Sequence, residues 1–191
     1  MRQLSKSKII AFRQCPKRLW LELHKRELRD DSGSEMVFAI GNQVGDVARQ
    51  IYDTAGDGKL IDVDELGWDA AYSETSSWLA YTPAPLFEAA IRIDGALALA
   101  DVMLPAPGAK GLRWHMLEVK SSTGVKDYHR EDLAVQTYIA TMAGVNLASA
   151  SIAHVDNTFV SVLASPSGKA PVPTNNFPSS SVSTSFPQLG K

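Results

Sequence analysis

Hydrophobic residues in the first half of the chain recur at the spacing of α-helices. Between residues 4 and 29 the pattern predicts two short helices that meet at Cys15, with Pro16 in the first turn of the second. A longer helix is predicted over 34–52, where valine and isoleucine return every three or four residues. A third helix is predicted over about 66–79. The first half of the chain is therefore expected to be helical.

Two glycines, Gly41 and Gly45, lie inside the long predicted helix and share one of its faces. An interior glycine costs about 1 kcal/mol relative to alanine, so it usually has a packing or functional reason. We expect this face to pack closely against another element. The single cysteine, Cys15, excludes a disulfide within this sequence and is expected to be a small buried residue.

The pattern changes in the second half, where short apolar segments separated by turn residues predict strands. Three strands with short connections are predicted over 86–94, 96–104 and 112–120. A helix over about 128–142 and a last strand over 148–155 follow. This order of elements predicts an α/β fold, with a mixed central sheet flanked by helices.

Composition divides the chain into three parts. The 191 residues are 45% hydrophobic, which is enough for one packed domain. We predict a basic helical segment over 1–33 and a core over 34–163. Residues 164–191 contain five of the ten prolines and seven serines. Such a composition cannot offset the entropy lost on ordering, so we predict a disordered tail.

The net charge of −2 excludes a global basic field, so any contact with nucleic acid needs a local patch. Basic residues concentrate near the N-terminus and again after the third predicted strand. The residues expected to contact phosphate are Lys6, Arg13, Lys17, Arg18 and Lys126. An ordinary solvated helix face is the alternative explanation. No apolar run suits a signal peptide or a membrane span, so we expect a cytoplasmic protein without a membrane partner.

Three ionisable residues stand out in the predicted strands. Asp101 interrupts an apolar strand, where a carboxylate is costly unless it is paired or bound to metal. Glu118 and Lys120 are two residues apart in the next strand, so their side chains share one face. Each feature also has an ordinary explanation: a strand end at which the aspartate reaches water, and a surface ion pair.

The position of Asp101 relative to Glu118 depends on the register of the two strands, which the sequence does not determine. A hairpin with a loop over about 105–114 brings them together, whereas tighter pairing places Asp101 opposite His115. In the first register, the two carboxylates and the backbone carbonyl of Val119 would offer hard oxygen ligands to Mg²⁺.

A metal ion held in this way would polarise a phosphate and lower the pKa of a bound water. Lys120 would orient that water or stabilise the negative charge that develops during the reaction. In that register, these residues would form a metal site that could act on a phosphate.

The sequence around these residues resembles the core of the PD-(D/E)xK nucleases. More narrowly, it resembles their RecB-like branch, which includes CRISPR-associated exonucleases, and the N-terminal nuclease-like domains of some bacterial proteins. The resemblance implies a restriction-endonuclease-like core and covers roughly residues 4–160. Its motifs stand in the family's order at 4–8, 15–20, 41–52, 87–90, 97–101, 117–122 and 132–138.

The resemblance assigns a role to each matching residue. Asp101 and Glu118 would bind Mg²⁺ or Mn²⁺, and Lys120 would be the catalytic lysine. Gln136 would face the site from the following helix, although a solvated helix position is the alternative. Glu88 would add a carboxylate at or beside the metal, or else form a structural ion pair. The implied activity is hydrolysis of DNA phosphodiester bonds in repair, recombination or defence.

Three features depart from the family's pattern, one of which is Ala140, where the glutamine motif normally has a tyrosine. Many relatives have a histidine four residues after the helix glycine, where this chain has Gly45. Several relatives hold an iron–sulfur cluster on four cysteines, which a single cysteine excludes for this chain alone. Two alternatives to an active nuclease stay open: a nucleic-acid-binding module without catalysis, and a fragment of a longer protein.

Overall fold

A six-stranded mixed sheet forms the centre of the part of the chain that the computed structural model describes, residues 3–28, 34–106 and 111–157. Neighbouring strands run antiparallel in the middle of the sheet and parallel at its sides. The strands are β1 (Leu4–Ser5), β2 (Lys59–Leu60), β3 (Leu86–Ile93), β4 (Ala96–Ala106), β5 (Arg113–Lys120) and β6 (Leu147–His154). Their order is β2-β3-β4-β5-β6, and β1 pairs in parallel with the start of β4.

Helices cover both faces of this sheet, which confirms the predicted α/β class. They are α1 (Lys6–Gln14), α2 (Pro16–His24), α3 (Ser34–Tyr52), α4 (Val63–Leu66), α5 (Trp68–Tyr81) and α6 (Asp127–Met142). One face carries α5 and α6, and α1 packs beside α6. The opposite face carries α3, which contacts β4 and β5.

The two faces of the sheet bury separate hydrophobic clusters. The larger cluster joins the central strands to α5 and α6, and includes the fully buried Met103, Trp114 and Met116. The smaller cluster joins Phe87 and Val102 to Ala48 of α3. Burial of this kind contributes roughly 25 cal/mol per Å² of apolar surface, so both helix layers are held by the sheet.

Most predicted elements are confirmed. The long helix has the predicted bounds, and the three central strands, α6 and the last strand agree to within two residues. The predicted third helix is confirmed as α5, and the short α4 precedes it, separated by Gly67, whose φ of 76° favours glycine. The pattern does not predict β1 and β2, since two-residue strands carry no periodicity.

Two packing predictions are wrong. No described atom would lie within 4 Å of a Cβ added to Gly41 or Gly45, so close packing does not explain these glycines. Cys15 is exposed rather than buried, because it lies in extended backbone at the joint between α1 and α2. A helical spacing reveals which residues share a face, but not whether another element covers that face.

Three further predictions concern the organisation of the chain. The boundary between the basic segment and the core, at residue 33, stays a prediction; β1 and α1 both contact the core. The predicted disordered tail lies outside the described residues. Within the part of the chain that the structure describes, no helix has the length and apolar character to cross a membrane.

Candidate active site

The edge of β4 that faces β5 opens into a gap beside Asp101. The ladder between the two strands ends where Val102 pairs with Leu117, so Asp101 and Glu118 lie one step beyond it. On the same edge, β1 pairs with the first two residues of β4, because β3 occupies the other edge. The gap between these two pairings is bordered by the candidate site residues Asp101 and Glu118.

The register that the strands adopt is the one that brings Asp101 and Glu118 together. The predicted loop over 105–114 is too long, because Pro105 pairs with Trp114 and the strands extend further than expected. The alternative pairing of Asp101 with His115 does not occur, since His115 lies opposite Leu104. The long β4 strand therefore decides the geometry of the site.

Glu118 is the buried centre of the site, with only 1% of its surface exposed. Its Oε1 lies 2.6 Å from the Nζ of Lys120, as their shared strand face predicts. The same oxygen lies 2.8 Å from the Nζ of Lys6. The other oxygen, Oε2, is buried and has no hydrogen-bond partner among the described residues. Glu118 is therefore doubly paired on one side and unpaired on the other.

Asp132 of α6 completes an ion-pair network around Lys120. Its Oδ2 lies 2.6 Å from the Nζ of Lys120 and 3.6 Å from that of Lys6. Burial opposes ionisation of Asp132, but the two lysines outweigh it and hold the pKa of this carboxyl below its usual value. Burial alone would lower the pKa of Lys120, and its two carboxylate partners raise it instead. Lys120 is therefore a protonated, fixed cation at neutral pH.

Asp101 lies on the β4 side of the gap, and its carboxylate is bound to the backbone of β5. Its Oδ2 accepts a hydrogen bond of 2.6 Å from the N–H of Val119. Burial raises the pKa of Asp101 to about 7, and the negative charge of Glu118 adds to the shift. The N–H and C=O of one strand residue point to the same edge, so the Val119 carbonyl faces this gap as well.

Glu88 adds a third carboxylate from β3. Its φ of 54° is the one positive value at a non-glycine position in the described residues, and such a conformation stores strain. Burial raises the pKa of Glu88, opposed by Arg49 and assisted by Glu118. A residue held in a strained backbone beside two other acids is typical of a functional site.

Gln136 lies on the face of α6 that points into the sheet. It is fully buried, which excludes the solvated position that the helix pattern allowed. Its Nε2 donates a hydrogen bond to the carbonyl of Leu99, two residues before Asp101 in β4. Its Oε1 has no hydrogen-bond partner among the described residues. Gln136 therefore ties α6 to the strand that carries Asp101.

The basic residues predicted to contact phosphate lie in different surroundings. Lys6 enters the carboxylate site, whereas Arg13 pairs with Glu131 at 3.3 Å on the surface. Arg18 pairs with Glu22 of its own helix at 2.7 Å, and Lys17 is exposed.

Lys126, the last of the five, is the N-cap residue that precedes α6. It is exposed, and its Nζ lies 5.7 Å from the centre of the Tyr128 ring. The predicted patch is therefore spread over α1, α2 and the start of α6, and its contact with nucleic acid stays a prediction.

The sequence patterns do not assign Asp132 to the site and do not predict the contact of Lys6 with Glu118. Asp132 could have been found, because it precedes Gln136 by four residues and so lies on the same side of α6. The contact of Lys6 with Glu118 has no local signal, since 112 residues separate the two. It depends on the parallel pairing of β1 with β4.

The site holds an excess of negative charge. Burial raises the pKa values of Asp101 and Glu88. The negative charge of Glu118 raises both further, and the charge of Glu88 adds to the shift of Asp101. In residues 3–28, 34–106 and 111–157, no group of three or more His, Cys, Asp or Glu side chains is arranged to hold a metal ion. The donors on offer are carboxylate and carbonyl oxygens, the type that Mg²⁺ and Mn²⁺ prefer.

Comparisons with protein-family models, with curated proteins and with solved structures found no match to this chain.

Proposed function

We propose that this protein is a metal-dependent nuclease of the PD-(D/E)xK type, cytoplasmic, that hydrolyses DNA phosphodiester bonds in repair, recombination or defence. The observation that carries the proposal is the state of Glu118. One of its oxygens pairs with Lys120, and the other is buried without a partner among the described residues. An unpaired buried carboxylate oxygen is expensive, and a cation is the partner that removes this cost.

The residues that would hold the ion are Asp101, Glu118 and the carbonyl of Val119, with Glu88 beside them. The Oε2 of Glu118 is unpaired, and the Asp101 carboxylate faces the same gap. When bound, Mg²⁺ or Mn²⁺ would polarise the phosphate and lower the pKa of a bound water. A pKa near 7 for Asp101 fits this role, because positive charge in the gap would favour the ionised form.

Lys120 would supply the fixed positive charge that the reaction needs. It is held by Glu118 and Asp132, both at 2.6 Å, so it requires little reorganisation when negative charge develops on the phosphate. Gln136 would act indirectly, because its hydrogen bond to Leu99 positions the strand of Asp101. Lys120 would therefore be a catalytic residue, and Gln136 would be a positioning residue.

The test is cleavage of end-labelled single-stranded and double-stranded DNA by the purified chain, with Mg²⁺, Mn²⁺ or EDTA. The informative variant is Lys120→Ala, which should lower the cleavage rate by about 10²-fold or more. Lys59→Ala is a matched control, because Lys59 also forms a 2.6 Å ion pair, with Glu74, outside the site. Circular dichroism establishes that each variant is folded.

Three outcomes separate the candidate functions. Metal-dependent cleavage that Lys120→Ala loses and Lys59→Ala keeps supports the nuclease. Cleavage that survives in Lys120→Ala to the same extent assigns the activity to a contaminant and contradicts the proposal. DNA binding without cleavage under every metal condition favours the non-catalytic module, which Gly45 suggests.

A further inference from the structure

Lys6 lies beside the carboxylates that would hold a cation. Its Nζ lies 2.8 Å from Oε1 of Glu118, and it interacts electrostatically with Asp101 and Glu88 as well. Lys120 pairs with the same Glu118 oxygen and with Asp132, and these two carboxylates raise its pKa, whereas Asp101 helps to raise the pKa of Lys6. Of the two lysines, Lys6 is therefore the one on the side of the gap where metal would bind.

The backbone brings Lys6 to this position without burying it fully. Ser5 pairs with Leu97 in the parallel β1–β4 ladder, and Lys6 follows it as the first residue of α1. The side chain remains 18% exposed, and its distance to Asp132 is a loose 3.6 Å. Lysine has a flexible four-carbon stem and a compact charge, so it can leave one carboxylate without any movement of the helix.

We infer that Lys6 is an exchangeable internal cation, which balances the carboxylates of the metal-free site and is displaced when a divalent ion binds. This inference rests on the proposed function, because it assumes that Asp101 and Glu118 are the metal ligands. The ammonium of Lys6 would repel a divalent ion in the gap, and the divalent ion interacts more strongly with two carboxylates than one ammonium does. Lys6 and the metal ion are therefore competitors for Glu118.

Competition has a thermodynamic consequence that a passive ion pair on the surface lacks. If the metal ion weakens the contact of Lys6 with Glu118, then Lys6 must weaken the binding of the metal ion by the same factor. Removing the ammonium group should therefore tighten metal binding. Keeping the charge but changing its shape should have a much smaller effect.

The first test is titration calorimetry of the full chain with Mn²⁺ in the absence of DNA. Lys6→Met and Lys6→Gln remove the charge and should lower the Kd for Mn²⁺ roughly tenfold. Lys6→Arg, which keeps the charge, should remain near the wild-type Kd. Lys59→Met is the matched control for net charge, because Lys59 pairs with Glu74 rather than with the site.

The second test distinguishes displacement of Lys6 from repulsion at a distance. Mass spectrometry after brief treatment with acetic anhydride measures how reactive each lysine is. Acetylation of Lys6 should increase several-fold when Mg²⁺ is added, because its ammonium leaves Glu118, whereas acetylation of Lys59 should not change. A constant reactivity of Lys6 at saturating Mg²⁺ would overturn the inference.

The results also separate this inference from the nuclease itself. If the wild type cleaves DNA with Mg²⁺ and both neutral Lys6 variants bind Mn²⁺ no more tightly than the wild type, Lys6 is not a competitor and the nuclease stands. If only the neutral variants bind Mn²⁺, the inference is supported, because Lys6 then prevents metal binding in the wild type. If neither the wild type nor these variants bind metal, both proposals fail.

Discussion

The carboxylate of Asp101 accepts a hydrogen bond of 2.6 Å from the backbone N–H of Val119, in place of a strand partner. The β4–β5 ladder has ended two residues earlier in β5, at Leu117. A side chain thus satisfies a backbone donor where the two strands separate, as buried N–H groups require. The same carboxylate faces the acids of the gap, so the contact links strand geometry to the electrostatics of the site.

Asp101 should make the stability of the metal-free protein depend on pH. Its pKa is about 7 in the folded protein, above its ordinary value of 3.8, so the folded state binds the proton more tightly than the unfolded state. The stability it contributes is therefore fully present below about pH 4 and is lost as the pH rises through about 7. Asp101→Asn cannot ionise, so it removes this pH-dependent loss of stability. Its amide oxygen can still accept the hydrogen bond from the Val119 N–H.

We expect Asp101→Asn to be more stable than the wild type at pH 8, by an advantage about 1–3 kcal/mol larger than the one it has at pH 5. Urea unfolding in EDTA at both pH values measures the difference. Glu88 and His129 titrate in both proteins, so the comparison isolates Asp101. The exposed Asp69→Asn serves as the control. A variant that is less stable than the wild type at pH 8 would contradict the assigned pKa direction.

Mn²⁺ should stabilise the wild type through Glu118. A ligand at a hundred times its Kd stabilises the folded state by about 2.7 kcal/mol, which corresponds to about 5–10 °C in Tm for a chain of this size. Glu118→Gln keeps the shape but loses the charge that binds the ion, so most of this increment should disappear. Differential scanning calorimetry with Mn²⁺ and with EDTA gives both increments.

Glu74→Gln is the control for this measurement, because Glu74 pairs with Lys59 and not with the gap. It should keep the full increment. Equal increments in the wild type and in Glu118→Gln would place metal binding elsewhere on the chain.

Gln136 should contribute measurably to stability as the link between α6 and β4. Gln136→Met preserves most of the volume but leaves the Leu99 carbonyl without its side-chain donor, at a cost of about 1–3 kcal/mol. Guanidinium unfolding measures this change. The exposed Thr141→Ala on the same helix should differ from the wild type by about 0.5 kcal/mol or less. A neutral Gln136→Met would show that the hydrogen bond does not hold the strand.

The glycines of α3 should be replaceable by alanine with a gain in stability. The space around Gly41 and Gly45 is open to an added Cβ among the described atoms, and alanine is favoured inside a helix by about 1 kcal/mol. We expect each substitution to raise the free energy of unfolding by about 0.5–1 kcal/mol. Thermal and urea unfolding of the single variants test this.

Gly67→Ala provides the opposite control, because its φ of 76° strains any residue with a Cβ. It should destabilise the protein by about 1 kcal/mol or more. Destabilisation by Gly41→Ala and Gly45→Ala would indicate a contact that this α3 face makes in solution.

The elements of this protein depend mainly on local pattern, which is why most of them could be predicted. The helical spacing over 34–52 and the alternation along β5 follow from the geometry of one segment. The same alternation is sufficient to place Glu118 and Lys120 on one face, and the structure confirms it. The open space beside Gly41 could not be predicted, since it depends on which elements lie opposite the helix.

The sequence by itself determined most helices and strands and the shared face of Glu118 and Lys120, because each arises within a few residues. Tertiary structure decided which register brings Asp101 beside Glu118, and it brought Lys6 across 112 residues into the same gap. Those contacts depend on strand pairing between distant segments, which is chosen by the burial of whole sheet faces rather than by any local pattern. The ionisation of Asp101 follows from the same burial.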